Sequence, residues 1–131
     1  MKISRSLSYV FIASGYIAEN QQDGPVSAMR ISKEYNISLE YLLKILQMLV
    51  KAKVIKSRRG PRGGFLLACD PKDISLLQIV EAIDGPVVRS LQMVERTHSA
   101  DFSFKMETVC KNVAERALKI YDKAKLADML Q

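Results

Sequence analysis

Residues that support catalysis are scarce in this sequence. It contains one histidine and two cysteines, and it has no paired-carboxylate pattern, no nucleophile–base motif and no cofactor fingerprint. We therefore predict that the chain is not an enzyme. The two cysteines, Cys69 and Cys110, lie far apart in the chain, a spacing typical neither of a disulfide framework nor of a metal site.

Long apolar runs are also missing. No run approaches the roughly 18 to 20 residues that a bilayer span needs. Residues 1–5 lead into an amphipathic stretch, so we expect no signal peptide and no membrane contact. Together with the sparse cysteines, this pattern favours a protein of the reducing cytoplasm.

Positive charge is present in excess but is unevenly distributed. The formal net charge is +6, and residues 1–70 carry 11 Lys/Arg against 5 Asp/Glu, whereas residues 71–131 carry 9 of each. A surface that approaches phosphates favours clustered cations, because binding releases counterions. On charge alone, chance asymmetry in a short chain explains the pattern equally well.

Three helices are predicted in the N-terminal half. Apolar periodicity and the capping serines Ser27 and Ser38 place them over residues 4–20, 27–35 and 39–52. Asn36 tolerates a left-handed backbone and is predicted to form a tight turn between the second and third helices. Two helices joined in this way form a helix-turn-helix.

The third predicted helix has two unlike faces. Its apolar stripe consists of Leu39, Leu42, Leu43, Leu46, Leu49 and Val50, and its polar face consists of Glu40, Lys44, Gln47 and Lys51. A solvated outer face is the ordinary interpretation of such a pattern. Because this helix is the second member of the pair, its polar face is also a candidate for contacts with DNA bases.

A basic β-hairpin is predicted next. Residues 54–59 and 65–68 are β-compatible, and residues 60–64 form a glycine-rich turn between them. A hairpin directly after a helix-turn-helix is a wing. The wing carries three arginines, Arg58, Arg59 and Arg62. Arginine side chains are suited to binding phosphates or entering a minor groove. A nucleotide phosphate loop is not indicated, because no Gly-Lys-Ser/Thr and no helix follow.

The C-terminal half is predicted to contain a helix over residues 76–83 and a long helix over about residues 104–126, with residues 87–103 unassigned. The long helix carries an apolar stripe of Met106, Val109, Val113, Ala117, Ile120 and Ala124. This surface exceeds what one subunit readily covers, which favours packing against a second copy in a two-fold dimer. The alternative is that the stripe folds back on the first helix.

These elements predict a mainly α fold with a small β-hairpin wing, a winged helix-turn-helix followed by a long C-terminal dimerisation helix. We expect residues 1–84 to form the DNA-binding domain. Residues 85–131 are expected to form a linker loop and the dimerisation helix.

Four segments give the sequence a family resemblance. They are ISLEYL (37–42), SRRGPRGGFLL (57–67), IVEAIDG (79–85) and LADML (126–130), of which the second and third are the most specific. On these segments the chain resembles the Rrf family of winged-helix transcriptional regulators, to which IscR, NsrR and CymR belong. The resemblance implies a homodimer that binds a palindromic operator in double-stranded DNA, and we expect it to act as a repressor.

The resemblance also implies which residues contact DNA. In the recognition helix, the residues that would contact bases or adjacent phosphates are Ser38, Glu40, Tyr41 and Lys44. In the wing, the three arginines would contact the DNA. Backbone phosphates would be held by Lys2, Ser4, Arg5 and Ser27. Glu40 has two equally supported roles. It could complement the helix dipole as a residue at the start of the helix, or it could read a cytosine base.

The chain departs from the iron–sulfur members of that family. Those members place three cysteines in the loop before the long helix, and this chain has none there. His98 and Cys110 are too few for a cluster, so we predict no metal and no cofactor. The signal is then expected to be a small molecule, a partner protein or a thiol change. Two other functions stay open, a protein-interaction module and a thiol-based redox sensor.

Overall fold

The computed structural model describes residues 4–130, which form six α-helices and one β-hairpin. The helices are α1 (Arg5–Asn20), α2 (Ala28–Tyr35), α3 (Leu39–Lys51), α4 (Leu76–Asp84), α5 (Met93–Arg96) and α6 (Asp101–Lys123). The strands are β1 (Ile55–Arg58) and β2 (Gly64–Leu67), and short 3-10 helices cover Gln21–Asp23, Pro71–Asp73 and Leu126–Met129. Within residues 4–130 no helix is long and apolar enough to cross a membrane. The predicted fold class is confirmed.

Serine side chains determine where α2 and α3 begin. Ser27 Oγ accepts a hydrogen bond from the backbone N–H of Arg30 at 3.1 Å, and Ser38 Oγ accepts one from that of Tyr41 at 3.4 Å. These bonds satisfy amides that have no partner inside the helix. Asn36 ends α2 in the left-handed conformation, with φ 52° and ψ 52°. The predicted helix-turn-helix is therefore confirmed.

One apolar core joins the first four helices to the hairpin. Burying a large apolar side chain completely contributes about 1.5–3 kcal/mol. The largest completely buried side chains include Ile17, Ile31, Leu42, Leu46, Leu49, Ile55, Ile74 and Ile79. Because all of these residues except Ile74, which precedes α4, come from α1, α2, α3, β1 and α4, the helix-turn-helix and the wing are held by the same core.

The hairpin is attached to the segment before α2. Its strands pair antiparallel, and a β-bridge continues the sheet to Val26. Val26 N–H donates to the carbonyl of Phe65 at 2.9 Å, and Phe65 N–H donates to the carbonyl of Val26 at 2.8 Å. A Cβ on Gly64 would lie 2.5 Å from the Val26 carbonyl oxygen, and the φ of Gly64 is +156°. Only glycine therefore permits this close approach.

The long helix differs from its predicted bounds. It begins at Asp101, earlier than residue 104, and it ends at Lys123, before residue 126. Leu126 is buried in the 3-10 helix that follows, and its N–H donates to the carbonyl of Ile74 at 2.8 Å. Leu126 thus belongs to a separate turn that packs against the start of α4.

The unassigned residues 87–103 contain the short helix α5. The Glu107 carboxylate, on α6, accepts hydrogen bonds from the backbone N–H groups of Met93 at 2.6 Å and Val94 at 3.4 Å. Thr97 Oγ1 and Ser103 Oγ are hydrogen-bonded at 2.6 Å. Side chains of α6 therefore fix the loop that precedes it.

We expect Gly64→Ala to lower the free energy of unfolding by about 2–4 kcal/mol, because the new Cβ would collide with the Val26 carbonyl. Gly15→Ala is the matched control. A Cβ at Gly15, inside α1, would meet no atom within 4 Å, so this change should stabilise the protein by about 0.5–1 kcal/mol. Urea denaturation measures both, and equal effects would contradict the structural role of Gly64.

Candidate nucleic-acid interface

The outer face of α3 is exposed to solvent. Glu40, Lys44, Gln47 and Lys51 are exposed as predicted. The predicted apolar stripe is wrong at one position, because Leu43 is 39% exposed. Ile45, which was left out of that stripe, is buried instead. The buried face of α3 is therefore rotated slightly from the predicted one, and Leu43 lies on the same side as Lys44.

The start of α1 lies beside the start of α3. Arg5, Tyr9, Ser38 and Tyr41 line a shallow hollow there. The Tyr41 hydroxyl is hydrogen-bonded to Ser6 Oγ, and its ring meets the ring of Tyr9 edge to face, with centroids 5.6 Å apart. Tyr41 is half-buried. Its hydroxyl already has a partner within the protein, so Tyr41 positions α3 against α1.

The N-terminal serines and basic residues have distinct positions. Ser4 Oγ accepts a hydrogen bond from the N–H of Leu7 at 3.1 Å and so caps α1. Arg5 is exposed and lies in the same hollow as Ser38. Lys2 lies outside the described residues. The structure thus brings Ser4 and Arg5 to the end of α1 that is next to the start of α3.

A second hollow, which we call the arginine cleft, lies between the wing and the start of α2. It is lined by Ser27, Arg30, Arg58, Arg59, Arg62 and the turn residues between the strands. Asp23 also lines it, but within residues 4–130 no carboxylate forms an ion pair with any of these arginines. The predicted wing arginines therefore share one concave, strongly cationic surface with the start of α2.

Arg30 is a candidate that sequence reasoning missed. Its Nη2 donates to Asn20 Oδ1 at 3.2 Å, and its guanidinium carbon lies 5.4 Å from the centroid of the Tyr16 ring. One signal was available in the sequence. Arg30 stands in the first turn of α2, where a positive charge opposes the helix dipole, and such an unfavourable placement is typical of a residue retained for binding.

The apolar stripe of α6 is largely uncovered in a single chain. Met106, Val109, Val113 and Ile120 are 54%, 63%, 57% and 69% exposed. The alternative in which the stripe folds back on the first helix is wrong for these four residues, since folding back would bury them. Ala117 is half-buried.

Two corrections apply to the ends of that stripe. Ala124 follows the last residue of α6, and its carbonyl accepts a hydrogen bond from the N–H of Leu76 at 2.8 Å. Its spacing from Ile120 predicts a helical position, which the structure does not bear out. Phe102 and Phe104, at the start of α6, were not predicted, yet they are 54% and 50% exposed. The exposed apolar surface therefore extends towards the N-terminal end of α6.

Comparison with known families gives a match over nearly the whole chain. The Rrf2 family model, described as iron-dependent transcriptional regulator, matches residues 3–131. The HTH-type transcriptional regulator IscR of Photobacterium profundum is 37% identical over 87 residues, which are 66% of this chain and 51% of that protein. The putative HTH-type transcriptional regulator BadM of Rhodopseudomonas palustris is 41% identical over 80 residues, 61% of this chain and 51% of that protein. The matched part spans about half the length of these relatives.

Solved structures agree in fold. CymR (YrzC), the global cysteine regulator of B. subtilis, superposes with a TM-score of 0.79 at 27% identity, covering 98% of this chain and 95% of that one. The IscR of T. potens superposes with a TM-score of 0.70 at 29% identity, covering 98% and 85%. The likeness therefore includes α6 as well as the helix-turn-helix.

Iron is implied by the description of the family model, but the residues of this chain do not fit an iron site. The whole sequence has two cysteines and one histidine. Cys69 follows the wing and Cys110 lies on α6, and across residues 4–130 no three His, Cys, Asp or Glu side chains converge. In the loop before α6, the start of α5 is held by Glu107. An iron–sulfur cluster normally needs three or four thiolate or imidazole ligands, which this loop cannot supply.

Tyr41→Phe should lower the free energy of unfolding by about 0.5–1.5 kcal/mol, because it leaves Ser6 Oγ without its partner. Ser6→Ala should have a similar effect, and the double variant should lose less than the sum of the two. Tyr35→Phe, at an exposed tyrosine of α2, is the control and should change stability by less than about 0.5 kcal/mol. Additive losses in urea denaturation would show that the two hydroxyls do not interact.

Proposed function

Because the chain belongs to the Rrf2 family of transcriptional regulators, we propose that it binds a palindromic operator in double-stranded DNA as a homodimer and represses transcription. The observation that carries this proposal is the joint exposure of the polar face of α3 and the cationic wing. We place the protein in the cytoplasm, where its DNA would be, and we propose no iron–sulfur cluster.

The recognition helix is proposed to enter the major groove, which is wide enough for an α-helix. Ser38, Glu40 and Lys44 support this proposal because they are exposed on one side of α3 near its N-terminal end. Tyr41 would contact the DNA from the hollow beside Arg5. Of the two roles open to Glu40, its exposure and its lack of an ion pair within residues 4–130 favour base reading.

The wing and the N-terminal ends of the helices are proposed to contact the DNA backbone. Arg58, Arg59 and Arg62 are exposed on or beside the hairpin turn, where guanidinium groups suit phosphates or a narrow minor groove. Ser4, Arg5 and Ser27 lie at the starts of α1 and α2, and Lys2 is included in the proposal on the family resemblance. Such contacts fix the register of the protein without reading sequence.

The apolar stripe of α6 is proposed to form the dimer interface. Four side chains that are more than half exposed lie along one helix, and contiguous apolar patches of this kind mark protein–protein contacts. Two-fold pairing would present two recognition helices to successive major grooves, about 34–36 Å apart. Residues 1–84 would then bind DNA, and residues 85–131 would join the two copies.

Replacing Arg59 and Arg62 together with alanine should weaken binding to any duplex about tenfold or more at 0.1 M salt, because phosphate contacts are lost. The slope of log K against log[salt] should fall by about two. Fluorescence anisotropy at salt concentrations from about 0.05 M to about 0.3 M measures the affinity and the slope. The duplex is an operator selected from fragments of the source genome.

The control for this pair is Lys72→Ala with Arg96→Ala. Both residues are exposed cations of the C-terminal half, so the same charge is removed away from the proposed surface. Affinity should change less than about twofold. Equal losses in both double variants would show that only net charge matters, and an unaltered Arg59/Arg62 variant would remove the wing from the interface.

Val109→Asp combined with Val113→Asp should convert the dimer to monomer, because a carboxylate would be buried in an apolar interface. Lys111→Asp is the control. It introduces the same carboxylate at an exposed position between the two valines, on the other side of α6. Sedimentation velocity should show a monomer only for the valine variant, with loss of binding to the full palindrome. A valine variant that stays dimeric would place the interface elsewhere.

A further inference from the structure

We propose that the arginine cleft is a binding site for a single backbone phosphate of the duplex, and that Arg30 binds this phosphate together with the wing arginines. The inference rests on the proposed function and deepens it. It assigns a role to α2 in addition to α3 and the wing, and it places this contact where the turn of the wing meets the start of α2.

The chemistry of the cleft matches a phosphodiester group. Arg30, Arg58, Arg59 and Arg62 contribute four guanidinium groups, and Ser27 lies at the N-terminal end of the eight-residue helix α2. One N–H of Arg30 is used by Asn20, and a guanidinium group has five, so the others are available for a bidentate contact with phosphate oxygens. The positive end of α2 adds to the same potential.

The charges in the cleft are only partly balanced, because four arginines and one carboxylate, Asp23, line it and none of these arginines is ion-paired in the described residues. In the part of the chain that the structure describes, the one ion pair joins Lys105 to Asp101 on α6. Like charges held together repel, and Arg30 also opposes the dipole of its own helix. An arrangement that is unfavourable in the free protein becomes favourable once an anion occupies the cleft. The structure therefore fits an anionic ligand supplied from outside.

Both sides of the cleft are fixed before any ligand arrives. On the α2 side, the Asn20 amide and the face of the Tyr16 ring hold the Arg30 side chain. On the wing side, the Val26–Phe65 bridge fixes the strand that follows the turn. Gly63 has no room for a side chain either, since a Cβ there would lie 2.3 Å from the Arg58 carbonyl. A site that is already ordered loses less conformational entropy when it binds.

The test compares Arg30→Ala with Lys33→Ala, which removes an exposed cation of the same helix that does not line the cleft. Arg30→Ala should weaken binding to operator and to unrelated duplex by the same factor, about five- to twentyfold, and lower the salt slope by about one. Lys33→Ala should stay within about twofold of the unaltered protein. Thermal melts confirm that both variants are folded.

Asp23→Asn is expected to increase the affinity for DNA, whereas a misfolded variant would lose affinity. Asp23 is the carboxylate that lines the cleft, so its neutralisation should raise affinity for any duplex by about two- to fivefold. An affinity at or below that of the unaltered protein would contradict the proposal. A loss in Arg30→Ala that is confined to the operator would also contradict it, because Arg30 would then read bases.

Free anions are the other source of the same chemistry. Inorganic phosphate at matched ionic strength should leave the melting temperature of the unaltered protein unchanged, since an isolated anion lacks the rest of the duplex interface. A phosphate-dependent rise that disappears in Arg30→Ala would assign the cleft to a small anion and overturn the proposal. If Arg30→Ala binds DNA normally while the Arg59/Arg62 variant is weak, the cleft proposal fails alone. If the unaltered protein ignores DNA at low salt, the proposed function fails as well.

Discussion

The two hydrogen bonds between Val26 and Phe65 determine how the basic parts of this protein are arranged. A two-stranded hairpin is marginally stable on its own. This one gains a third partner at the residue that precedes the cap of α2, so backbone hydrogen bonds join the wing directly to the helix-turn-helix. Gly64 permits the approach because it has no side chain. Together with the shared core, this contact brings the wing arginines and Arg30 to a single surface.

That surface is also where the charge of the sequence is concentrated. The excess of positive charge lies entirely within residues 1–70, and the fold collects much of it on one concave face. The apolar side chains of α1, α2, α3 and β1 hold these like charges together. The electrostatic repulsion of the free protein is thus offset by burial elsewhere, and the same repulsion becomes a favourable term when phosphates are present.

Features with local signals could be predicted from the sequence, and features that depend on long-range contacts could not. The caps Ser27 and Ser38 and the left-handed Asn36 are local and are found where expected. The glycine-rich turn is found as well, except that Gly64 is the first residue of β2 and not the last of the turn. The role of Glu107 was not predictable, because it caps a helix fourteen residues earlier in the chain. The contacts of Arg30 could not be predicted either, since Asn20 and Tyr16 come from another helix, although its position in the first turn of α2 was visible in the sequence. Periodicity misplaced Leu43, Ile45 and Ala124, since spacing alone locates a buried face only to within about one residue.

The uncovered stripe on α6 would make the amount of dimer depend on the total concentration of the protein. Its exposed valines and isoleucine are not covered by residues 4–130, and under the proposed pairing an identical copy covers them. While most copies are unpaired, mass action makes the population of pairs grow with the square of the total. Doubling expression would then raise the DNA-competent species roughly fourfold, which gives a steep response with no ligand at all.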